Sequence, residues 1–268
     1  MNASSTFTAA DGDGYELVMG RWSRRLAVPF LDFAGTRDGE RVLEVGCGTG
    51  RLAQAIVERS RPSEVRAIDL AAAYVDYARS RNQDPRVVFE VGDACDIEFA
   101  DHTFDRVFSM LVLHFVPRAA QAISEMRRVS KPGGIVAAAV WDVRGGMVAH
   151  RLFLDTAAAL DPKANELRAW SYTRPMTRPG ELGRAWREAG LQDVVESSLG
   201  IRMEFTSFAD YWAPYEGRDG PAAAYMASLG EAERSRLKDA VRAAYLDGDP
   251  DGPRSYAALA WAVKGIAP

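Results

Sequence analysis

The sequence predicts an α/β fold built on a doubly wound, mostly parallel seven-stranded sheet with helical lid insertions. Three observations lead there. Short runs rich in Val, Ile, Leu and Ala alternate with helix-period stretches between residues 41 and 141. The first of these runs ends in a glycine-rich loop that opens at once into a helix, and the next two end at Asp69 and Asp93. Strands buried on both faces have no polar side to show, so near-continuous apolar runs between helices signal a parallel sheet covered on both sides.

Taken in order, residues 1–13 are polar and small and read as a disordered tail. Residues 15–33 carry Leu17, Val18, Trp22, Leu26, Phe30 and Leu31 at roughly helical spacing, interrupted by Gly20 and Pro29, which predicts two short helices. Strands are expected at 41–45, 65–70, 87–91, 104–113 and 135–141, with helices at 51–59, 71–81 and 119–129. Lys131-Pro132-Gly133-Gly134 reads as a helix stop. After Asp142 the pattern changes. Residues 145–177 look helical and irregular, 179–189 return to a helix closed by Gly190, 192–205 are β-like, 207–247 are helical again, and 256–265 form a last strand. The implied organisation is a tail with cap helices (1–40), a ligand-binding core (41–144), a helical lid (145–177), core again (178–206), a second lid (207–250) and a final core strand (251–268).

Composition narrows the function. A chain of 268 residues with 47% hydrophobic and 26% charged residues suits one sizeable core, and a net charge of −4 gives no general attraction for phosphate backbones or anionic lipid. The expectation is a small-molecule ligand, with neither nucleic acid nor membrane as partner. Two cysteines, Cys47 and Cys95, and three histidines make neither a disulfide framework nor a zinc spacing, so no metal is expected. The start has no basic and apolar leader pattern, and no apolar run is long enough to span a bilayer, so a cytoplasmic location is expected. Monomer and homodimer stay open.

The loop Glu44-Val45-Gly46-Cys47-Gly48-Thr49-Gly50 carries the functional argument. Glycines between a strand and a helix let a ligand approach the main chain and gather backbone N–H groups around one point. A dinucleotide fingerprint needs a third glycine at position 51, where Arg51 stands, and no Gly-Lys-Ser/Thr follows, so a pyrophosphate is disfavoured. Asp69, ending the second strand, is placed to accept from ribose hydroxyls. Asp93, in Gly92-Asp93-Ala94, is placed to accept from an adenine amine. A nucleoside without phosphates fits all three strand ends.

At this point a family resemblance is visible. The segments 42–50, Asp69, 92–94, Phe104-Asp105-Arg106-Val107-Phe108-Ser109 and 128–134 resemble the successive motifs of class I S-adenosylmethionine-dependent methyltransferases, whose core is Rossmann-like. The small-molecule type related to the ubiquinone/menaquinone biosynthesis methyltransferases is the most similar. The resemblance is tight over residues 41–142 and loose elsewhere. It implies that S-adenosyl-L-methionine is the cofactor, with its methionine part on the backbone of Gly46, Cys47, Gly48 and Gly50. Asp69 would bind the ribose, Leu70 would pack on the adenine, Asp93 and Ala94 would read its edge beside Gly92, and Ser109, Met110 and Leu111 would line the sulfonium. Tyr15 and Trp22 are the candidates for an N-terminal helix closing over the cofactor.

Each residue also has a structural reading. Glu44 ahead of the loop is expected to support it. Asp69 and Asp93 are both good helix N-caps. Cys47 fits as a small filler, without a base or cation to activate it. His114 ends the fourth strand on the side from which an acceptor approaches; packing and general-base catalysis weigh about equally. Trp170, Tyr172, Tyr211, Trp212 and Tyr215 read as core aromatics or as an apolar substrate pocket under a lid. The expected function is therefore O-, N- or C-methylation of a small apolar or aromatic molecule. The alternatives are a protein that binds S-adenosylmethionine without transferring its methyl group and, behind it, an NAD(P)-dependent oxidoreductase. A nucleic-acid amino-methyltransferase is disfavoured because Ser109-Met110-Leu111-Val112-Leu113-His114 stands where an Asn/Asp-Pro-Pro-aromatic clamp would be.

Overall fold

The computed structural model of the protein describes residues 5–6, 12–217 and 220–268. The strands β1 (Arg41–Val45), β2 (Glu64–Asp69), β3 (Val87–Val91), β4 (Phe104–Met110), β5 (Ser130–Trp141), β6 (Gln192–Phe205) and β7 (Arg254–Ile266) form one sheet in the order β3-β2-β1-β4-β5-β7-β6. β1 to β5 pair in parallel, and β7 runs antiparallel to β5 and β6. The strand order reverses between β1 and β4, which is where open α/β sheets form a crevice for ligands.

Alternation along the strands sends side chains to two cores. Val42, Phe108, Ala137 and Ala139 pack with α2 (Arg21–Ala34), α3 (Arg51–Arg59) and α4 (Ala72–Arg81) on one face. Leu43, Val45, Val107, Val136, Ala138 and Val140 pack with α5 (Ala119–Val129) and α8 (Glu181–Glu188) on the other. This two-sided burial is why both faces of the central strands are mainly apolar, the buried polar Glu44, Arg106 and Ser109 being departures from that pattern. The remaining helices are α6 (Val148–Leu160), α7 (Ala164–Thr173), α9 (Phe208–Trp212), α10 (Gly220–Ser228) and α11 (Glu231–Leu246). They bury Phe153, Tyr211, Trp212, Tyr215 and Tyr245 in continuity with the α2–α4 core, Phe153 and Tyr215 stacking with centroids 4.0 Å apart. Of the aromatics singled out in the sequence, Trp170 and Tyr172 are only half-buried.

Three expectations are corrected. The N-terminal region is one helical run, α1 (Gly12–Tyr15), a π turn over Glu16–Gly20 and α2, in place of two short helices, and it begins within the stretch read as a disordered tail. Residues 1–4 and 7–11 of that stretch lie outside the described residues. Pro29 sits inside α2 without breaking it. A mid-helix proline costs about 3 kcal/mol; burying Trp22, Leu26, Phe30 and Leu31 on the same helix offsets this, since each large apolar side chain contributes about 1.5–3 kcal/mol. β4 stops at Met110 and not at residue 113: Leu111 adopts φ +68°, and a 3₁₀ turn follows at Leu113–Phe115. His114 therefore sits in that turn and not on the strand. Lastly, β5 starts at Ser130, where a register irregularity between its first and later pairs with β4 absorbs the Pro-Gly-Gly segment.

Candidate functional site

The loop after β1 passes through the left-handed region, which favours glycine. Gly46, Gly48 and Gly50 have φ of +80°, +52° and +85°. A Cβ on Gly46 would lie 2.2 Å from a methyl of Val112, and one on Gly50 would lie 2.7 Å from the ring of Phe89. The glycines thus serve close packing of neighbouring strand ends as well as ligand approach. The expectation that the loop offers a cluster of free amides is corrected. The N–H groups of Gly46 and Cys47 donate to the Ile68 carbonyl, that of Gly50 to the Cys47 carbonyl, and that of Gly48 to Asp69 Oδ2 at 2.8 Å. Amides satisfied internally make a shaped surface and not an anion nest, in keeping with a ligand that brings no phosphate there.

Asp69 is the centre of this arrangement. Its second oxygen accepts from the Ala71 N–H at 2.9 Å, and burial raises its carboxyl above the ordinary range despite the two bonds. A carboxylate has about four acceptor sites, so both oxygens keep capacity for hydroxyl donors. The N-cap reading fails, because the residue before α4 is Ala71 and it makes no side-chain cap. Asp93 accepts from the Cys95 N–H at 2.8 Å and lies 3.9 Å from Arg118. Leu70, which follows Asp69, is an apolar side chain left 47% exposed.

The N-terminal helical run closes over this end. Glu16 on the π turn accepts from Arg51 Nε at 2.9 and 3.0 Å, from Arg51 Nη2 and from the Thr49 hydroxyl. A Cβ on Gly20 would collide with the Glu16 carboxyl, so the glycine leaves it room. π turns concentrate at functional sites, where they re-aim a side chain. Tyr15 packs on Tyr74, centroids 5.0 Å apart, and its hydroxyl is pushed up to about 12 by burial. Arg21 crosses to Asp210 of α9 at 2.8 Å, tying α2 to the second insertion.

These elements enclose one cavity of about 570 Å³, a size ordinary for a small-molecule site. Of the residues named from the sequence, Tyr15, Trp22, Gly46, Gly48, Asp69, Leu70, Gly92, Asp93, Ala94, Met110, Leu111 and His114 line it. Glu44, Cys47, Gly50 and Ser109 do not. Alternation along β4 turns Ser109 away from the face that Met110 presents, and its buried hydroxyl has no partner among the described residues. Glu44 is buried at the end of β1; burial raises its carboxyl well above the usual range, only partly opposed by the Ala53 N–H in the first turn of α3. Burial also pushes the Cys47 thiol up, which keeps it inert.

The rest of the wall comes from β5, β6 and the two insertions, and includes Trp170, Tyr211 and Tyr215, three of the aromatics that the sequence offered for a substrate pocket. Trp141 ends β5, and Met147, His150, Leu167, Trp170, Ser171 and Arg174 come from the first insertion. Phe205, Tyr211 and Tyr215 come from the end of β6 and the second insertion. His114 is 2% exposed, its Nδ1 has no partner among the described residues, and burial with Arg174 nearby lowers its pKa well below the usual value. His150 is pushed down to about 4 by the same two causes. Both imidazoles are neutral at pH 7. Leu111, in the left-handed region, is a strained non-glycine residue on the wall, as is common where a site dictates backbone geometry. Among the described residues no cluster of three metal-ligating side chains occurs, and no helix is long and apolar enough to cross a membrane.

Comparison with known proteins agrees with this geometry. A family described as a methyltransferase domain matches residues 43–138. The chain is 37% identical over 97 residues to a fatty-acid O-methyltransferase of Mycolicibacterium smegmatis, covering 36% of this chain and 35% of that protein. It is 32% identical over 123 residues to the ubiquinone/menaquinone biosynthesis C-methyltransferase of Paracoccus denitrificans, covering 44% and 49%. The matches thus span about half or less of these relatives. Among solved structures, phosphoethanolamine N-methyltransferase 2 of Haemonchus contortus superposes with a TM-score of 0.60 at 17% identity, over 97% of this chain and 60% of that one. The stretch that matches a methyltransferase domain, residues 43–138, carries the glycine loop and both acidic strand ends of the cavity.

Proposed function

We propose that the protein methylates a small apolar or aromatic molecule, with S-adenosylmethionine as donor. The observation that carries this reading is the single cavity that runs from Gly46, Asp69 and Asp93 to the aromatic and histidine wall of the two insertions. One pocket able to take a nucleoside at one end and an apolar body at the other suits a transfer between two bound molecules. The donor supplies an electrophilic methyl on a sulfonium. Asp69 is the proposed acceptor for the ribose hydroxyls, Leu70 the adenine platform, Asp93 and Ala94 the adenine edge, and Gly46 and Gly48 the bed for the methionine part. Tyr15 and Trp22 close the site.

Displacement at a sulfonium methyl needs alignment above all, and holding the partners in line contributes about 7–11 kcal/mol. His114 is the proposed proton acceptor where the acceptor atom must lose a proton. Its depressed pKa keeps it unprotonated at pH 7 but makes it a weak base, so acceptors that are already anionic or carry a free amine suit the site best. A small-molecule acceptor, and not a nucleic acid, is supported by the enclosed apolar wall and the net charge of −4. Reaction in the cytoplasm belongs to the same reading.

The test is direct. Isothermal titration with S-adenosylhomocysteine should give one site per chain, and labelled methyl should pass from S-adenosylmethionine to members of an aryl and fatty acid, phenol and amine panel. Tight binding with no transfer to any class of acceptor would replace this reading by binding without transfer.

A further inference from the structure

The cavity wall contributed by the first insertion carries a cation that has no anion among the described residues. Arg174 follows α7; its Nε and Nη2 reach only the carbonyl and hydroxyl of Ser171, both at 3.3 Å. The guanidinium carbon lies 4.9 Å from the ring centroids of both Phe115 and Trp170, so two aromatic faces fix its position. Among the described residues no carboxylate pairs with it, and Nη1 has no acceptor there. Arg106 shows how the same chain treats a buried arginine whose role is purely structural, since it meets both oxygens of Glu40 and the Ala34 carbonyl. Leaving a desolvated cation unpaired is costly, and the desolvation is sufficient to lower Arg174 to about 10. Such a cost is retained where a ligand supplies the missing charge.

The surroundings specify that ligand. His114, with its buried and unpartnered Nδ1, and His150 also line the cavity, and both feel the charge of Arg174. Neutral imidazoles beside a guanidinium fork suit an oxyanion, while Leu167 and the rings of Trp141, Trp170 and Tyr215 give the cavity a largely apolar wall. We propose that Arg174 is the anion-binding residue of the acceptor subsite and that the acceptor is an apolar or aromatic molecule bearing a carboxylate. The inference rests on the methyltransferase reading for its assignment of the two ends of the cavity. A second carboxylate source, the methionine part of the cofactor, shares the chemistry, but the cofactor end is proposed at Gly46 and Gly48, on another wall.

The test uses octanoate and 4-phenylbutyrate against octanol and 4-phenylbutan-1-ol, titrated by tryptophan quenching with and without saturating S-adenosylhomocysteine. Each acid is expected to bind at least ~10-fold more tightly than its alcohol, in line with a charge-assisted pair. Arg174→Gln should abolish that preference while leaving alcohol affinity and S-adenosylhomocysteine affinity unchanged, and Arg174→Lys, which keeps the charge, should retain part of it. Equal binding of acid and alcohol by the unaltered protein, or no saturable binding of either acid, overturns the inference. So does a loss of S-adenosylhomocysteine affinity in Arg174→Gln, which would assign the guanidinium to the cofactor. Failure of the unaltered protein to bind S-adenosylhomocysteine at all would instead overturn the proposed function, so the two failures are separable.

Discussion

Glu16 and Arg51, 35 residues apart, form a charge-assisted fork that fastens the N-terminal π turn to the first turn of α3. Arg51 stands where a dinucleotide fold has its third glycine, so the residue that removes the pyrophosphate reading is the one that latches the lid. The pair is half-buried, where such bonds contribute more than exposed ion pairs do. Glu16→Gln and Arg51→Gln are each expected to weaken S-adenosylhomocysteine about 5- to 10-fold, of the order of one charged hydrogen bond, with the double variant no worse than either single. Additive losses in calorimetry would mean that the residues act separately.

Asp69 joins Gly48 and Ala71 while keeping acceptor capacity toward the cavity. Asp69→Ala removes the clamp and the proposed ribose acceptor together, and affinity for S-adenosylhomocysteine should fall roughly 10- to 150-fold, the range for charged hydrogen bonds. Asp93→Ala should also weaken it. Unchanged affinity in both variants would remove the nucleoside assignment.

Gly46→Ala places a methyl 2.2 Å from Val112 at a φ of +80°. Left-handed backbone costs a non-glycine residue about 1–2 kcal/mol and overpacking about 1–3 kcal/mol more. Urea unfolding should show a loss within that combined range. Adding Val112→Ala should restore the overpacking part and leave the backbone part; no restoration would show that the steric contact is not the cause.

His150 provides a pH signature. Its pKa is near 4 in the fold against 6.5 for an ordinary imidazole. Between those values the unfolded chain binds a proton that the folded chain does not, so stability is present above 6.5 and is lost as pH falls toward 4. Burial of Glu44 and Asp69 acts in the opposite sense, raising their folded pKa values. The comparison is therefore made by difference. His150→Phe should show a shallower fall in Tm between pH 6.5 and 4 than the unaltered protein, by up to one proton's slope. Superimposable Tm profiles would show that His150 is not held neutral by the fold.

The legible part of the site is local in sequence. Gly46, Asp69 and Asp93 each end a strand, and strand ends in a doubly wound sheet converge, so reading three of them amounts to reading a surface. Ser109 falls outside the cavity because one step along a strand reverses the face, and nothing local says where β4 ends. The glycine loop suggests a nest of free donors, yet its amides answer to Ile68 and Asp69, acceptors from the next strand that only pairing brings near. Arg174 and His150 carry a faint signal at most, a basic residue after a helix and a lone histidine among apolar residues.

The sequence by itself determined the layered sheet, the succession of its strands along the chain and the acidic and glycine-rich strand ends at one end of the cavity, because periodicity and strand-end chemistry are properties of short segments. Tertiary structure alone decided that Glu16 reaches Arg51, that Pro29 stays inside a helix, that His114 sits in a 3₁₀ turn and that Arg174 lines the pocket with no carboxylate partner among the described residues. Those outcomes depend on contacts between distant segments, whose energies are set by burial and charge pairing after the chain has packed.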